Sequence, residues 1–470
     1  MSDLATSLGR LGPAPTAPTF TPAPQPPAPR RAEREDADVD WALVVTLRRE
    51  VAEEIAAAAT RWQAEQGQPM PEEDTRVRAR SIIRSCVHAR ARQLSDDGEA
   101  LWSVALEQRY ADAVESAIFG YGRLQPLFEI PDAENVEIHG HDSVMIHYGD
   151  GHRVEHPPVA DSDDELVEAI RFLGETASPP RPFDDAHPTM TLALGSRFRL
   201  HAIGFGLSHR PSIVIRQHRL TDVTLDDLAG TGMFPRELGD ILRAAVLARK
   251  SIVISGDQGA GKTTLLRALV DAIPATERFG TLETDYELLT HLHPHRRNVL
   301  ALQARIGLGE SAAGERVGSY GVADLIPEAL RQNLTRLVVG EVRGEEAGAM
   351  FEAMQSGAGT LSTTHSHSAA STMDRLAARV AQGGVLDIDE AMRQIAHHLD
   401  LIIHVQLRDD TWRGGVRRRF VTEVRQLTGS MEAGRPTTHV LYRADADGTP
   451  VALDPSAELL AELAEYREAR

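Results

Sequence analysis

The strongest chemical signal in the sequence is a glycine-rich segment between an apolar run and a helical pattern. Residues 251–273 read SIVISGDQGAGKTTLLRALVDAI, and Gly256, Gly261, Lys262 and Thr263 complete the spacing G-x-x-x-x-G-K-[ST]. This spacing wraps backbone N–H groups around an anion, while the lysine reaches the outer phosphates and the hydroxyl ligates Mg²⁺. The segment therefore predicts a site for ATP and Mg²⁺. The residues expected to hold the nucleotide are Gly256, Asp257, Gln258, Gly259, Ala260, Gly261, Lys262, Thr263 and Thr264.

Two acidic residues end predicted strands and could act beside this loop. Glu341 follows the apolar residues 337–339, and Glu283 ends another apolar segment. Hydrolysis of a nucleotide needs groups that hold the metal and orient water. We interpret both acids as catalytic groups and, together with Thr263, as ligands of Mg²⁺; Arg343 places a cation beside them. For either acid considered alone, a solvated loop residue is the alternative.

Four further residues could sense or neutralise the terminal phosphate. His365 follows a strand of small residues. Arg197 and Arg199 lie two positions apart, and hence on one face of a predicted strand, and Arg216 ends the next strand. Phosphoryl transfer often uses an arginine from elsewhere in the assembly, so these residues are candidate catalytic groups. Residue type alone also allows a plain surface role for each of them.

Metal clusters and disulfides find little support in the sequence. Cys86 is the only cysteine, so the chain has neither a disulfide framework nor a cysteine zinc site. His291, His293 and His295 alternate around Pro294, but no partnering cysteine or carboxylate pattern accompanies them. We interpret these histidines as part of a solvated loop and predict no metal cluster.

The charge balance and the hydropathy bear on partners and location. The formal net charge over 470 residues is −19, which repels a polyanion at long range and argues against nucleic acid as the main ligand. Apolar stretches are too short to span a bilayer, and the N-terminus lacks the pattern of a secretory signal. We therefore expect a cytoplasmic protein that reaches a membrane through a partner or a surface.

Composition and hydrophobic periodicity divide the chain into successive segments. The predicted segments are a Pro/Ala-rich disordered tail (1–38), a helical module (39–124), an α+β domain (125–217), a polar linker (218–232), an alternating α/β domain (233–428) and a C-terminal extension (429–470). In the α/β domain we predict strands at 251–255, 279–283, 299–303, 336–340 and 359–364 and helices at 262–273, 323–332 and 345–355. This alternation predicts a parallel sheet with helices on both faces and the phosphate loop at its carboxyl edge. Strands at 400–407 and 417–427 are expected as antiparallel additions, and the last helix (456–469) as peripheral.

Four motifs occur in the order GDQGAGKTT (256–264), LETDYEL (282–288), LVVGEVRG (337–344) and STTHSHS (362–368). Together they resemble the type II/IV secretion ATPase family, specifically its CpaF-like tight-adherence (Flp) pilus assembly branch. YGRLQPL (121–127), NVEI (135–138) and RPSIVIR (210–216) are also similar, so the resemblance spans residues 121–424.

The resemblance implies an α/β fold in which a RecA-like P-loop NTPase motor domain follows a PAS-like α+β domain and a small helical module. It implies a homo-oligomeric ring, a hexamer, with nucleotide between the two domains of each protomer. The ring would work with an inner-membrane platform protein at the inner face of the cell membrane. By resemblance, Glu283 belongs to the acidic box, Glu341 ends the Walker B strand and His365 ends the histidine box.

The resemblance also covers the arginines, and it is not complete. Arg197 or Arg199, with Arg216, match the arginines that reach the phosphates in this family. Thr284 stands where the acidic box commonly has an aspartate, and Ala358 stands where the histidine box has its upstream histidine. These departures are compatible with a slower or regulated motor.

Three functions are compatible with the sequence. The leading interpretation is an ATPase that powers pilus assembly or secretion, in which hydrolysis of Mg-ATP moves the N-terminal domain against the motor domain. The second is a nucleic-acid translocase or conjugation-type motor, against which the acidic balance argues. The third is a nucleotide-gated scaffold with little turnover, which the altered acidic and histidine boxes keep open.

Overall fold

The computed structural model divides the chain into two compact units, whose boundary in the sequence lies between Phe119 and Gly120. The residues it describes are 39–98, 102–177, 180–218, 222–305, 311–312, 315–316, 318–344, 346–355, 357, 359–384 and 386–467. The disordered tail predicted over residues 1–38 lies outside the described residues. Within the described part of the chain, no helix is long and apolar enough to cross a membrane.

The described residues of the first unit form helices. These are α1 (Trp41–Gln66), α2 (Glu72–Asp96) and α3 (Val104–Phe119). Asp40 caps α1 by accepting hydrogen bonds from backbone amides, and Gly67 ends the helix with a positive φ of 70°. Apolar side chains of the three helices, among them Leu47, Ile83 and Val114, share one core. This unit buries the stripes that the helical periodicity of the sequence indicates.

The second unit begins with an antiparallel sheet that carries one long helix. Its elements are α4 (Gln125–Phe128), β1 (Ala133–His139), β2 (Val144–Tyr148), β3 (Arg153–His156), α5 (Asp163–Thr176), β4 (Thr189–Leu194), β5 (Phe198–Ile203) and β6 (Ser212–Gln217). Across the described residues the strand order is β3-β2-β1-β6-β5-β4. Ser162 caps α5, whose residues Leu166, Ile170 and Leu173 are buried in the core of this part. Strand β3 is absent from the sequence-based prediction because its side chains are largely exposed.

A larger sheet follows. Its strands are β7 (Ile252–Gly256), β8 (Phe279–Glu283), β9 (Val299–Gln303), β12 (Arg336–Val342), β13 (Gly359–Thr364), β14 (Leu401–Asp409), β15 (Arg417–Glu432), β16 (Arg435–Ala444) and β17 (Pro450–Leu453), while β10 (Ser311–Ala312) and β11 (Glu315–Arg316) pair separately. Over the described residues the order is β17-β16-β15-β14-β7-β13-β12-β8-β9. The strands from β14 to β9 in this order run parallel, and β15, β16 and β17 are antiparallel additions at one edge. This confirms the predicted parallel sheet and the antiparallel addition of the strand predicted at 417–427. The expectation that the strand at 400–407 is also an antiparallel addition is wrong, because β14 pairs with β7 in parallel. The helical segment between β13 and β14 returns the chain to the same edge of the sheet, so that both strands run in one direction.

Helices cover both faces of this sheet. They are α6 (Leu225–Gly230), α7 (Arg236–Leu247), α8 (Lys262–Asp271), α9 (Val322–Leu330), α10 (Glu346–Gln355), α11 (Ala369–Gln382), α12 (Ile388–His398) and α13 (Ala457–Arg467). Short 3-10 turns span Gly122–Leu124, Thr290–Leu292 and Thr411–Arg413. Along β7, Ile252 and Ile254 pack into the core with α7 and α8, whereas Val253 packs into the core with α10 and α11. Burial on both faces is the reason why the strand reads as a continuous apolar run.

The structure differs from the sequence-based segments at three places. The stretch 218–232, interpreted as a linker, contains α6, which Thr224 and Asp227 stabilise with a reciprocal capping box. Strand β15 continues to Glu432, so it crosses the boundary placed after residue 428. The expectation of a peripheral last helix is wrong, because Leu459 and Leu463 of α13 are buried in the core that contains α7.

Candidate active site

The phosphate loop connects the carboxyl end of β7 to the first residue of α8. Gly256 has a φ of 149°, and a Cβ at this position would lie 2.1 Å from the carbonyl oxygen of Val405 on β14. Gly261 precedes α8 with a φ of 96°. Both positions therefore need glycine, because a side chain would collide with β14 or strain the turn. The loop presents the amino end of α8 at the carboxyl edge of the sheet, as predicted.

Lys262 is directed back over its own loop. Its side chain is buried, and Nζ donates hydrogen bonds to the carbonyl oxygens of Gly256 (3.0 Å) and Asp257 (2.8 Å). Nζ also lies 3.3 Å from Nδ1 of His365. Burial lowers the pKa of Lys262, although the charge of Glu341 opposes this change. A buried ammonium group held by carbonyl dipoles is prepared to exchange these contacts for phosphate oxygens.

His365 and Glu341 meet beside Lys262. Nε2 of His365 lies 2.9 Å from Oε1 of Glu341, and Arg343 donates a hydrogen bond from Nη2 to Oε2 of the same carboxylate at 2.5 Å. Burial lowers the pKa of His365, and the nearby charge of Lys262 lowers it further. The hydroxyl of Thr363 donates to the carbonyl of Gly340 at 2.7 Å. This last contact ties the end of β13 to β12 next to the predicted catalytic acid.

Glu283 lies at the end of β8 with its carboxyl group almost fully buried. Oε1 accepts hydrogen bonds from the amides of Glu287 (2.9 Å) and Leu288 (2.8 Å). Among the described residues, Oε2 has no hydrogen-bond partner. Burial raises the pKa of Glu283 to about 7, although the two amides favour the ionised form. A carboxyl group that is half ionised near neutral pH can take up and release a proton in that range.

The predicted metal ligands line one small cavity. Thr263, Glu283 and Glu341 surround a space of about 40 Å³, together with Arg199 and Arg343. A threonine hydroxyl and carboxylate oxygens are the donors that Mg²⁺ prefers, and Oε2 of Glu283, which is buried in this region, has no hydrogen-bond partner in the part of the chain that the structure describes. The donor set therefore fits Mg²⁺, and Lys262 with the glycine-bent loop fits the phosphates.

The candidate arginines do not all lie together. Arg199 donates from Nη1 to Glu287 (2.6 Å) and from Nη2 to Asp285 (2.7 Å), so it connects β5 to the loop after β8. Arg216 is the cross-strand neighbour of Arg199. Burial opposes ionisation of Glu287, but the charges of Arg199 and Arg216 outweigh it and lower the pKa of this acid. The charge of the arginine pair is thus balanced by acids in the loop after β8.

Arg197 takes a different position from the other two arginines. It precedes β5 rather than lying within it, and its side chain is exposed. Its guanidinium lies over the ring of Phe198, 5.5 Å from the centroid. It does not line the cavity of Glu283 and Glu341, as far as the described residues show. The structure therefore separates Arg197 from Arg199, although the sequence treats them alike.

A second and larger cavity also borders the phosphate loop. It has a volume of about 640 Å³ and lies between the end of β6, the loop and the start of β15. Arg216, His218, Gly261 and Thr264 contribute to its wall. Burial and the nearby charge of Arg267 lower the pKa of His218 to about 4, so this imidazole is neutral at pH 7. The volume lies within the range of small-ligand pockets, about 300–1,000 Å³.

Two arginines near the loop are absent from the sequence-based site. Arg419 of β15 donates from Nε to the carbonyl of Gly259 (2.8 Å) and from Nη2 to Glu134 of β1 (2.7 Å). Arg267 of α8 is buried and donates from Nε to the carbonyl of Glu287 (3.0 Å). The run of three arginines at 417–419 and an arginine in the apolar face of α8 are the sequence signals that could have indicated them.

The histidine loop forms ordinary polar contacts. His293 lies 2.7 Å from Asp222, and its ring lies beside that of His295. His291 packs against the ring of Tyr286. These contacts account for the alternating histidines as parts of a folded loop.

Comparisons with known proteins identify the family of the chain. The family model described as Type II/IV secretion system protein matches residues 150–431. A putative conjugal transfer protein of Mycobacterium tuberculosis is 30% identical over 331 residues, which cover 68% of this chain and 89% of that protein. The type IV secretion system protein VirB11 of Brucella suis is 29% identical over 261 residues, which cover 50% of this chain and 69% of that protein.

Solved structures are also similar. The VirB11 ATPase from the Brucella suis type IV secretion system, crystallised in complex with sulphate, has 24% sequence identity and a TM-score of 0.34, covering 65% of this chain and 96% of that chain. The family model spans more than half of the chain, and the mycobacterial relative is matched over most of its own length. The chain belongs to the type II/IV secretion system protein family.

Proposed function

We propose that the chain is an ATP-hydrolysing motor that powers pilus assembly or type II/IV secretion. In this proposal a RecA-like P-loop domain carries the chemistry and a PAS-like α+β domain precedes it. One observation carries the proposal: the functional residues of four separate motifs converge at one edge of the sheet. Lys262, His365, Glu341 and Glu283 follow or end β7, β13, β12 and β8, which are consecutive neighbours in the sheet.

Binding uses the loop and the lysine. The backbone amides at the start of α8 would hold the phosphates, and Lys262 would exchange the carbonyls of Gly256 and Asp257 for phosphate oxygens. The 640 Å³ cavity beside Gly259 and Gly261 has room for the nucleoside part of ATP. Nucleotide would then lie between the two domains of the second unit.

Hydrolysis uses the two buried acids and their partners. Thr263, Glu283 and Glu341 would hold Mg²⁺, which neutralises charge on the phosphates when it is bound. Glu283, whose Oε2 has no hydrogen-bond partner among the described residues, can orient the attacking water. His365 contacts both Lys262 and Glu341, so it can register the state of the terminal phosphate.

In this proposal, ion pairs that join the α+β domain to the motor domain couple hydrolysis to movement of these domains. Arg199 of β5 holds Asp285 and Glu287, and Arg419 of β15 holds both Gly259 and Glu134 of β1. Binding or release of a charged phosphate group at the phosphate loop therefore changes the energy of the contacts between the motor domain and the α+β domain. Rigid-body motion of one domain against the other is the expected response.

The assembly is a further part of the proposal. We infer a homo-oligomeric ring, as in a CpaF-like hexamer, on the cytoplasmic face of the membrane with an inner-membrane platform protein as partner. The motif order supports this inference, as does similarity to VirB11 of Brucella suis, a type IV secretion system protein. Sedimentation of the full chain with and without ATP measures the number of protomers.

The test is turnover by the purified full chain. Lys262→Ala and Glu341→Gln should each lower kcat for ATP by about 100-fold or more, because each removes a charge that acts on the phosphates or the water. Lys250→Arg is the matched control at the only other lysine, which pairs with Asp400 and Glu462 outside the site. Near-normal turnover by Lys262→Ala would overturn the assignment.

One alternative has support from a specific observation. The mycobacterial relative is named as a putative conjugal transfer protein, which favours a nucleic-acid translocase as the second candidate. Stimulation of ATP turnover by DNA or RNA, with strongly salt-dependent binding, would favour that function. A multiple-turnover phosphate-release assay distinguishes either motor from a nucleotide-gated scaffold with little turnover.

A further inference from the structure

A buried histidine outside the motifs lies behind the phosphate loop. His404 is on β14 and is 6% exposed. Its Nε2 lies 3.3 Å from the carbonyl oxygen of Ser366, and its Nδ1 lies 2.7 Å from the hydroxyl of Thr422 on β15. Neither the proposed chemistry nor the motif resemblance uses this residue.

The carbonyl that His404 contacts belongs to the loop between β13 and α11. This loop carries His365, which reaches Glu341 and Lys262, and His367, whose Nδ1 lies 3.3 Å from Asp257. Ser366 stands between these two histidines in the sequence. The residue that His404 contacts therefore lies between the contact that His365 makes with Glu341 and Lys262 and the contact that His367 makes with Asp257.

The hydrogen-bond pattern defines what His404 does at this peptide. A carbonyl oxygen accepts hydrogen bonds only, so Nε2 of His404 carries the proton directed at Ser366. On the other side of the peptide, the Ser366 hydroxyl lies 2.8 Å from that of Ser371 in the first turn of α11. The loop is thus anchored to α11 through the Ser366 hydroxyl and to β14 through the Ser366 carbonyl.

Burial makes the contact with Ser366 costly to lose. Ser366 as a whole is also buried, so its carbonyl has few alternative partners. An unsatisfied buried acceptor is unfavourable, and a loop relieves this cost by moving toward another donor. Such a movement displaces His365, the residue next to it in the chain.

We propose that His404 is a positioning residue that holds the Ser366 peptide and thereby keeps His365 against Glu341 and Lys262. This inference rests on the proposed ATPase function, because His365 is a sensing or catalytic group only in that context. His404 acts through His365 and does not itself contact the reacting groups.

Two amide variants separate the contacts of His404. In His404→Gln the amide nitrogen occupies a position similar to Nε2 and can still donate to Ser366. In His404→Asn the amide corresponds to Nδ1, so it keeps the contact with Thr422 and loses the one with Ser366. His404→Asn should lower kcat for ATP by about tenfold, with KM within about twofold, as loss of a supporting hydrogen bond does elsewhere. His404→Gln should stay within about threefold of the wild type.

A double-mutant comparison tests whether the effect passes through His365. In a His365→Ala background, His404→Asn should produce no further loss of kcat, because the positioned group has already been removed. Additive losses in the two variants would overturn the proposal. Equal losses in His404→Asn and His404→Gln, accompanied by the same decrease in unfolding midpoint, would also overturn it, since a packing defect would explain them.

A measurement without ATP keeps this inference separable from the proposed function. Diethyl pyrocarbonate modifies the His365 ring when the ring moves away from Lys262 and Glu341. The rate of carbethoxylation, measured by mass spectrometry, therefore reports how often these contacts open. The rate should rise in His404→Asn and remain at the wild-type value in His404→Gln. An unchanged rate in His404→Asn would overturn the positioning role, whereas absence of wild-type turnover alone would count against the ATPase proposal.

Discussion

The buried carboxyl group of Glu283 makes the stability of the chain depend on pH in a predictable direction. Burial raises its pKa from 4.5 to about 7. The folded chain therefore binds a proton more tightly at this site than the unfolded chain does. The stabilisation is fully present below pH 4.5, and it is lost as the pH rises through 7.

The size of this effect follows from the difference in proton affinity. Each tenfold change in affinity is worth about 1.4 kcal/mol, so wild-type stability should fall by about 2–3 kcal/mol between pH 5 and pH 8 through this group. Glu283→Gln removes the ionisation and keeps an oxygen that can accept from the amides of Glu287 and Leu288. The free energy of unfolding of Glu283→Gln minus that of wild type should therefore increase by about 2–3 kcal/mol when the pH is raised from 5 to 8.

The assay is urea denaturation of both proteins at pH 5 and pH 8, followed by circular dichroism without nucleotide or Mg²⁺. Glu328→Gln is the control, because Glu328 and its partner Arg331 are both exposed on α9. The control should differ from wild type by less than about 0.5 kcal/mol at either pH. A difference between Glu283→Gln and wild type that is the same at pH 5 and pH 8 would refute the reasoning. In an ATP assay at pH 8, the variant should also lose about 100-fold in kcat, because the carboxylate that holds Mg²⁺ and orients the attacking water is removed.

Two further predictions concern arginines. Arg199→Ala removes the cation that holds the loop after β8 to the α+β domain, so kcat should fall by about tenfold in a steady-state ATP assay. Arg197→Ala is the control, because Arg197 is exposed, and its kcat should remain within about twofold of the wild-type value. Arg336→Met removes a buried guanidinium that pairs with Glu277 and donates to the carbonyl of Val246, so chemical denaturation should show a loss of about 2–3 kcal/mol although Arg249 still pairs with Glu277. Arg331→Met at the exposed pair should lose less than about 1 kcal/mol. Equal effects of the two members of either pair would contradict these assignments.

Much of the larger sheet could be predicted because its strands are short apolar runs. The predicted bounds of 279–283 and 359–364 agree with β8 and β13. The glycine spacing also located the phosphate loop, since the required backbone conformations are local properties of the chain. Helices α11 and α12 are missing from the prediction, although their buried residues recur at helical spacing. Strand β17 carries little signal, because all of its residues are exposed.

The residue types at the candidate site were predictable, but their pairing was not. By itself the sequence determined the phosphate loop, the acids that end β8 and β12, and the order of the strands along the chain. Only the tertiary structure decided that Arg199 and not Arg197 holds Asp285 and Glu287, that Arg419 reaches Gly259, and that His404 lies behind Ser366. These contacts join residues far apart in the chain, and such partners come together only when the strands adopt their order in the sheet. Burial of Glu283 has the same origin, because neighbouring strands and not its own sequence remove water from the carboxyl group and raise its pKa.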